Sequence, residues 1–175
     1  MSTIHEITMQ VKADSFQMSL LSGDVRNRAL EAIAAALQDR KAQIFEANQA
    51  DLDRAAEAKL ASPIVKRLKF DEAKLSDVIS GIQDLVALKD PLWSKLLVRE
   101  LDSELTLYKV SCPIGVIGVI FESRPDALVQ IATLCLKSGN CAILKGGSEA
   151  ANTNKILFEI IHEAGAGAGI PSGFL

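Results

Sequence analysis

Two short polar segments, each placed after an apolar run, contain the side chains best suited to binding a ligand. The first is Phe121-Glu122-Ser123-Arg124-Pro125-Asp126. A helix that begins here would point free backbone N–H groups at an anion, and Arg124 would add a planar, permanently charged donor. The same cluster is also compatible with a solvated loop. We favour a binding role because Glu122 and Arg124 come directly after a run typical of a buried strand.

The second segment, Lys145-Gly146-Gly147-Ser148-Glu149, follows the next apolar run. Its glycines would let a ligand approach the backbone, Lys145 could pair with a phosphate, and Glu149 could accept a hydrogen bond from a ribose hydroxyl. The spacing is not that of a Walker A loop, which needs Gly-Lys-Ser or Gly-Lys-Thr after an earlier glycine. An ordinary turn between a strand and a helix, with Ser148 as the helix cap, explains the segment equally well.

Other candidates for chemistry are weaker. Gly115 and Gly118 lie inside an apolar run rather than in the turn after it, so they do not match a dinucleotide fingerprint. Close packing of a strand against a helix or another backbone is the favoured explanation for them. Cys112, Cys135 and Cys141 show no CxxC spacing and have no histidine nearby in the sequence. We therefore expect no nucleophile among them and no metal site.

The elements that would position the two segments follow from periodicity. Residues 113–175 alternate strand and helix patterns: a strand over 114–120, a helix over 125–138, a strand over 141–144 and a helix over 149–164. A loop over 165–171 and the start of a third strand at Phe174-Leu175 are expected to follow. This order predicts a parallel, Rossmann-like α/β sheet whose first strand is buried on both faces. Ligands bind such sheets at the carboxyl ends of their strands, where both polar segments fall.

The first half of the chain has helical periodicity. Apolar side chains recur every three or four residues over 25–37 and 75–86, which predicts helices that begin near Ser22 or Asp24 and at Asp71. A further helix over about 41–59 is richer in alanine and charge. Residues 96–112 instead alternate apolar and polar side chains around Asp102-Ser103. That alternation predicts a β-hairpin with at least one wet face unless a partner covers it.

Composition excludes several classes of protein. The chain has 175 residues, of which 49% are hydrophobic and 23% charged, and a net charge of −3. These values are ordinary for a globular protein, and neither sign of charge is clustered, so we expect no nucleic-acid and no membrane partner. The odd number of cysteines and the lack of a signal-peptide pattern favour a reducing, cytoplasmic location.

Taken in order, these motifs resemble the γ-glutamyl phosphate reductases, or glutamate-5-semialdehyde dehydrogenases, of the aldehyde dehydrogenase superfamily. The resemblance is carried by residues 112–126, Cys-Pro-Ile-Gly-Val-Ile-Gly-Val-Ile-Phe-Glu-Ser-Arg-Pro-Asp, and by residues 134–150, Leu-Cys-Leu-Lys-Ser-Gly-Asn-Cys-Ala-Ile-Leu-Lys-Gly-Gly-Ser-Glu-Ala. Arg26-Asn27-Arg28, Ala47-Asn48, Asp51 and Asp90-Pro91 agree as well. The resemblance covers nearly the whole chain.

The resemblance implies NADPH-dependent reduction of L-glutamyl 5-phosphate to L-glutamate 5-semialdehyde, with release of phosphate, in proline biosynthesis. A cysteine thiolate would attack the acyl phosphate, and hydride transfer to the resulting thioester would release the aldehyde. That cysteine and a second cofactor loop are expected beyond Leu175. The chain is then the N-terminal part of an NADP-dependent oxidoreductase, lacks the catalytic domain, and is expected to be inactive by itself.

The resemblance also implies roles for individual residues. The residues expected to bind NADP(H) are Phe121, Glu122, Ser123, Lys145, Gly146, Gly147 and Glu149. Lys145 and Glu149 would hold the adenine ribose, with Lys145 also suited to the 2′-phosphate, and Phe121 to Ser123 would lie along the cofactor near the nicotinamide. Ser123 occupies the place of an asparagine that helps hold the oxyanion in most aldehyde dehydrogenases. Ser123 and Arg124 are the residues expected to meet the substrate, Arg124 through its phosphate or carboxylate.

The expected organisation is aldehyde-dehydrogenase-like. Residues 1–95 would be the helical part of the cofactor domain, 96–112 the hairpin of an oligomerisation element that forms a homo-oligomer, and 113–175 the start of the NADP-binding domain. Channelling of the acyl phosphate from glutamate 5-kinase is a further expectation. Two other interpretations stay open: a non-catalytic short form that binds nucleotide or pairs with a full-length partner, and another NAD(P)-dependent aldehyde dehydrogenase with a different substrate.

Overall fold

Five helices come before the first strand in the computed structural model, which describes residues 4–175. The helices of this first part are α1 (Ile4–Leu20), α2 (Gly23–Asp39), α3 (Lys41–Glu57), α4 (Ser62–Leu68) and α5 (Glu72–Ala87). The second part contains β1 (Lys95–Asp102), β2 (Leu105–Val110), β3 (Val116–Ile120), α6 (Pro125–Lys137), β4 (Cys141–Lys145) and α7 (Ala151–Gly167). Single 3₁₀ turns cover Ser148–Ala150 and Ser172–Phe174. The predicted sequence of helices, hairpin and β-α-β-α unit is therefore confirmed.

Local capping explains where several helices begin and end. The Ser22 hydroxyl accepts a hydrogen bond from the Val25 backbone N–H at the start of α2, and the Asp71 carboxylate accepts one from Lys74 at the start of α5. Pro125 occupies the first turn of α6, where its missing N–H costs nothing. Gly139 follows α6 with a φ of 69°, a left-handed conformation that glycine adopts without strain.

Strands β3 and β4 pair in parallel, and their register fixes the edge that carries the two polar segments. Val116 pairs with Cys141 at one end, and Ile120 pairs with Lys145 at the other. The Asn140 side chain accepts a hydrogen bond from the Gly115 N–H at 2.8 Å and so ties the start of the pair together. Because both strands run in the same direction, the segments after Ile120 and after Lys145 leave the sheet side by side.

The core lies between the helices and this small sheet. Helix α2 packs on α5, α6 and α7, α6 packs on α5 and α7, α3 packs on α7, and α1 contacts both β3 and β4. The fully buried residues of this core include Leu30, Ile33, Leu75, Leu136, Leu157 and Phe174. A second, smaller cluster of Ala55, Leu68 and Ala150 joins α3 and the end of α4 to the turn before α7. That cluster places α4 beside the second polar segment.

Strands β1 and β2 form the predicted antiparallel hairpin, and every one of their residues is exposed. Arg99 pairs with Leu107 and Val98 with Tyr108 in neighbouring positions, so apolar side chains lie on both faces of the hairpin. A hairpin of two strands is marginally stable in water by itself. Its exposed apolar residues are consistent with a covering partner.

The segment after α7 differs from expectation in two respects. The Gly-Ala tract predicted as a loop is helical as far as Gly167, and Phe174 lies in a 3₁₀ turn rather than in a third strand. Packing explains the difference, because a Cβ on Gly165 would lie 2.8 Å from the ring of Phe174. The small residue lets the buried Phe174 side chain contact the helix, and this contact outweighs the low helix propensity of glycine.

Strand β3 is less buried than predicted. Ile120 is 81% exposed and Gly118 is exposed as well, because β3 pairs only with β4 among residues 4–175. Close packing does not explain Gly118, since a Cβ there would meet nothing within 4 Å. Gly115 has a φ of +112°, a conformation that side chains rarely adopt, so its requirement for glycine is conformational.

Candidate functional site

The two polar segments meet at the carboxyl edge of the β3–β4 pair. The Phe121 N–H donates to the Lys145 carbonyl at 3.0 Å, which extends the ladder by one step. Beyond it, the Ser123 hydroxyl donates to Oε2 of Glu149 at 2.7 Å. Side chains that are 26 positions apart in the sequence are thus in direct contact.

The two glycines of the second segment make this approach possible. A Cβ on Gly147 would lie 2.6 Å from Oε2 of Glu149 and 2.9 Å from Oγ of Ser123. A Cβ on Gly146 would lie 3.0 Å from the ring of Phe121 and would collide with Nδ2 of Asn154. The backbone therefore passes close beneath the groups that would contact a ligand.

Glu149 is held in its charged form. Its pKa is lowered, chiefly by the hydrogen bond from Ser123, then by its own backbone N–H, with a smaller effect of Lys145. Oε2 accepts from Ser123, and a carboxylate has enough lone pairs to accept from a further donor such as a sugar hydroxyl as well. The single hydrogen of the Ser123 hydroxyl is used in this contact and cannot at the same time be donated to an oxyanion.

A cleft of about 460 Å³ opens beside this contact. It is lined by Ile64, Arg67, Glu122, Ser123, Gly147 and Glu149. Arg67 belongs to α4 and donates from Nη1 to Oε2 of Glu122 at 2.6 Å. Arg67 is not among the site residues predicted from the sequence, because its place in the cleft depends on how α4 packs against the rest of the chain. The only local signal is Pro63 after Ser62, which is typical of a helix start.

Arg124 is turned to a neighbour instead of the cleft. It donates to Oδ2 of Asp126 at 2.9 Å, and Lys74 contacts the same oxygen at 3.2 Å. Burial raises the pKa of Asp126, but the hydrogen bonds from Arg124 and Lys74 outweigh this and hold that pKa below its usual value. The hydrogen bond to Asp126 in turn raises the pKa of Arg124. Neither Arg124 nor Lys145 is among the residues that line the cleft.

A buried polar network on α3 fixes the second segment from below. Asp51 is fully buried and accepts hydrogen bonds from the backbone N–H groups of Asn152 and Thr153 and from the Thr153 hydroxyl. It therefore caps α7 from another helix, and Ser148, the expected cap, makes no such bond. Arg54 donates to Asp51 and to the carbonyl of Ser148, which ties the turn to α3.

The cysteines do not contribute to the site. Burial raises the pKa of the Cys135 thiol, and burial, with smaller effects of Asp14 and Cys135, raises that of Cys141 to about 11. Cys112 is exposed. Within residues 4–175, no three of the His, Cys, Asp and Glu side chains lie close enough together to hold a metal ion. No described helix is both long and apolar enough to cross a membrane.

Comparison with known proteins identifies the fold. No protein-family model matches the chain. The γ-glutamyl phosphate reductase of Ruminiclostridium cellulolyticum is 60% identical over 161 residues, which are 92% of this chain and 37% of that protein. The crystal structure of γ-glutamyl phosphate reductase from Saccharomyces cerevisiae superposes with a TM-score of 0.95 at 38% identity, covering 99% of this chain and 45% of the yeast chain.

A more distant solved structure shows the wider fold group. A probable aldehyde dehydrogenase from Listeria monocytogenes has a TM-score of 0.70 at 15% identity, over 98% of this chain and 36% of that protein. At that identity the likeness concerns the fold alone. The chain spans about two fifths of the length of the curated relatives it matches. In sequence the chain is similar to about two fifths of the length of γ-glutamyl phosphate reductases, and in structure it has the fold that they share with the aldehyde dehydrogenases.

Proposed function

We propose that the complete protein reduces L-glutamyl 5-phosphate to L-glutamate 5-semialdehyde with NADPH in the cytoplasmic step of proline biosynthesis, and that this chain forms one side of its cofactor site. The observation that carries the proposal is the contact of Ser123 with Glu149 over Gly147, at the carboxyl edge of a parallel strand pair. The names of the relatives supply the substrate.

The residues at this edge fit a dinucleotide. Two glycines leave room above the backbone, and Glu149, whose pKa is lowered chiefly by the hydrogen bond from Ser123, is an acceptor that can take a further hydrogen bond. Oδ1 of Asn154, beside Gly146, is a buried acceptor without a partner among the described residues. Bound NADPH would supply the hydride for the reduction. Glu149 would accept from a ribose hydroxyl, Lys145 would suit the 2′-phosphate, and Phe121 to Ser123 would border the nicotinamide end.

The nucleophile of the proposed reaction is assigned to another part of the complete protein. A thiolate is needed to attack the acyl phosphate. Cys135 and Cys141 are buried with raised pKa values, and Cys112 is exposed at the base of the hairpin, before Pro113. This chain would bind and orient, and it would not form the covalent intermediate.

The proposal is tested by running the reaction in reverse with the complete gene product. L-Glutamate 5-semialdehyde, NADP and inorganic phosphate are expected to give NADPH only when all three are present. NADPH formed equally well without phosphate would indicate an aldehyde dehydrogenase that ends in hydrolysis, and no NADPH would contradict the proposal outright.

A further inference from the structure

The cleft beside the Ser123–Glu149 contact has an unfavourable charge balance for the ligands proposed for it. Glu122 and Glu149 bring two carboxylates to its lining, and Arg67 is the one cation that lines it within residues 4–175. NADPH, an acyl phosphate and inorganic phosphate are all anions. Two carboxylates repel an anion at close range, and among the described residues that line the cleft only the Arg67 guanidinium offsets that repulsion.

The position of Arg67 is fixed by the packing of α4. The next residue, Leu68, is fully buried against Ala55 and Ala150, and its carbonyl accepts from Nδ2 of Asn48 at 2.9 Å. Oδ1 of Asn48 also accepts from the Phe70 N–H at 2.9 Å. The chain that leaves the end of α4 is therefore held on both sides of Lys69. Arg67 therefore projects toward the cleft from an anchored helix end.

A ligand can replace Glu122 as the partner of Arg67 at little cost in stability. The Arg67 side chain is 50% exposed and that of Glu122 is 76% exposed, and ion pairs this open to water contribute little to stability. A guanidinium presents a planar fork that matches two phosphate oxygens. Arg124, the other arginine at this edge, is already paired with the buried Asp126.

We propose that Arg67 is the phosphate-binding residue of this cleft, and that Glu122 holds its guanidinium in place until a phosphate group replaces the carboxylate. The inference rests on the proposed function, because that function supplies the phosphate ligands. The phosphate belongs either to the cofactor or to the substrate, and the experiment below separates these sources.

The test measures binding of NADPH, NADH and inorganic phosphate, each alone, to the complete gene product by titration calorimetry. Arg67→Ala is compared with Lys66→Ala, which removes the adjacent exposed cation of α4 that does not line the cleft. Loss of a charge-assisted contact is expected to weaken binding by about tenfold or more in Arg67→Ala. Lys66→Ala is expected to bind as the wild type does.

The pattern of loss identifies the source of the phosphate. If Arg67→Ala binds NADPH more weakly and NADH as the wild type does, Arg67 contacts the 2′-phosphate. If it binds both nucleotides more weakly to the same extent, Arg67 contacts the pyrophosphate. If it loses only the binding of inorganic phosphate, Arg67 contacts the phosphate of the substrate. Binding of all three within about twofold of wild type overturns the assignment of Arg67. If the wild type is active in the reverse assay and Arg67→Ala binds normally, only this inference fails and the proposed function stands.

A second variant keeps the inference testable if Arg67→Ala does not fold. Glu122→Gln removes a negative charge from the cleft and frees the guanidinium, so it is expected to bind the phosphate ligand more tightly than wild type by a few-fold. Weaker binding of all three probes in a folded Glu122→Gln protein would contradict the exchange of partners. Circular dichroism shows which variants are folded.

Discussion

At the scale of single residues, Ser123 and Glu149 determine each other's chemistry. The hydroxyl donates its one hydrogen to the carboxylate, which lowers the pKa of Glu149 and leaves the carboxylate able to accept from a further donor. An oxyanion role for Ser123 would require this bond to break first. The observed pairing therefore favours ribose binding by Glu149 over oxyanion binding by Ser123.

Gly147→Ala tests whether this contact serves the cofactor. The new Cβ would lie within 3 Å of both Oγ of Ser123 and Oε2 of Glu149, which must move aside, and 3.3 Å from the Ser123 backbone N, which needs to shift by only a few tenths of an ångström. We expect stability to change little and NADPH binding to weaken by about tenfold. Fluorescence titration and thermal unfolding of the complete gene product measure the two effects. Gly81→Ala, where a Cβ meets nothing within 4 Å, is the control and is expected to bind normally.

The buried cysteines give a prediction that depends on pH. Because the pKa of Cys141 is raised to about 11, only about one molecule in a thousand carries its thiolate at pH 8. At that pH we expect an alkylating reagent to modify the exposed Cys112 and to leave Cys135 and Cys141 unmodified until the protein is unfolded. Peptide mass spectrometry locates the label, and rapid labelling of Cys141 in the folded protein would be the contrary result.

Residue types in the site could be predicted from the sequence, but their partners could not. The glycines and Glu149 stand out because they follow an apolar run, and that pattern is local. The contact of Lys74 with Asp126 and the place of Arg67 in the cleft depend on how α5 and α4 pack against the neighbouring helices. No spacing in the sequence encodes those contacts.

At the scale of elements, α3 supports the second polar segment through one buried carboxylate. Asp51 satisfies two free N–H groups at the start of α7 and a hydroxyl of the same turn. Glu149 lies just before the start of α7. Asp51, about one hundred positions earlier in the chain, therefore positions the helix start that Glu149 precedes.

Asp51→Ala is expected to loosen the start of α7. Removing a buried cap costs about 2 kcal/mol locally, which corresponds to roughly 30-fold faster amide exchange. Hydrogen exchange of peptides that cover residues 148–160 in the complete gene product measures this change. Asp53→Ala removes an exposed carboxylate of the same helix and is expected to leave the exchange unaltered. Equal exchange in both variants would mean that Asp51 is not the cap.

Elements with strong local signals agreed with expectation, and those set by tertiary packing did not. Helices α2, α5 and α6 have side-chain caps or a first-turn proline that the sequence displays. The extension of α7 through Gly167 depends on the ring of Phe174 packing on Gly165, and it runs against propensity. The partial exposure of β3 reflects the lack of a second neighbouring strand within the described residues, which periodicity does not show.

At the scale of the whole molecule, the hairpin exposes apolar side chains along both of its strands. Leu97 and Leu107 are 47% and 46% exposed and lie on one face, and Val98 and Tyr108 lie exposed on the other. We propose that a second copy of the complete protein covers this hairpin. Apolar residues on both faces favour an arrangement in which the hairpin is enclosed rather than covered on one side.

Changing both Leu97 and Leu107 to Asp is expected to dissociate this assembly, because two charges would be buried without partners. Light scattering after size exclusion measures the mass of the complete gene product. Arg28→Asp, at an exposed position of α2, is the control and is expected to leave the mass unchanged. An unchanged mass in the hairpin variant would remove the hairpin from the interface.

Hydrogen exchange with and without NADPH shows whether segments 121–126 and 145–149 together form one side of an NADP(H) site. The complete gene product is labelled at saturating NADPH, and exchange is read in peptides that cover each segment. NADPH is expected to slow exchange in both segments and to leave exchange in the hairpin at 95–110 unchanged. Saturable NADPH binding with no protection in either segment would contradict it.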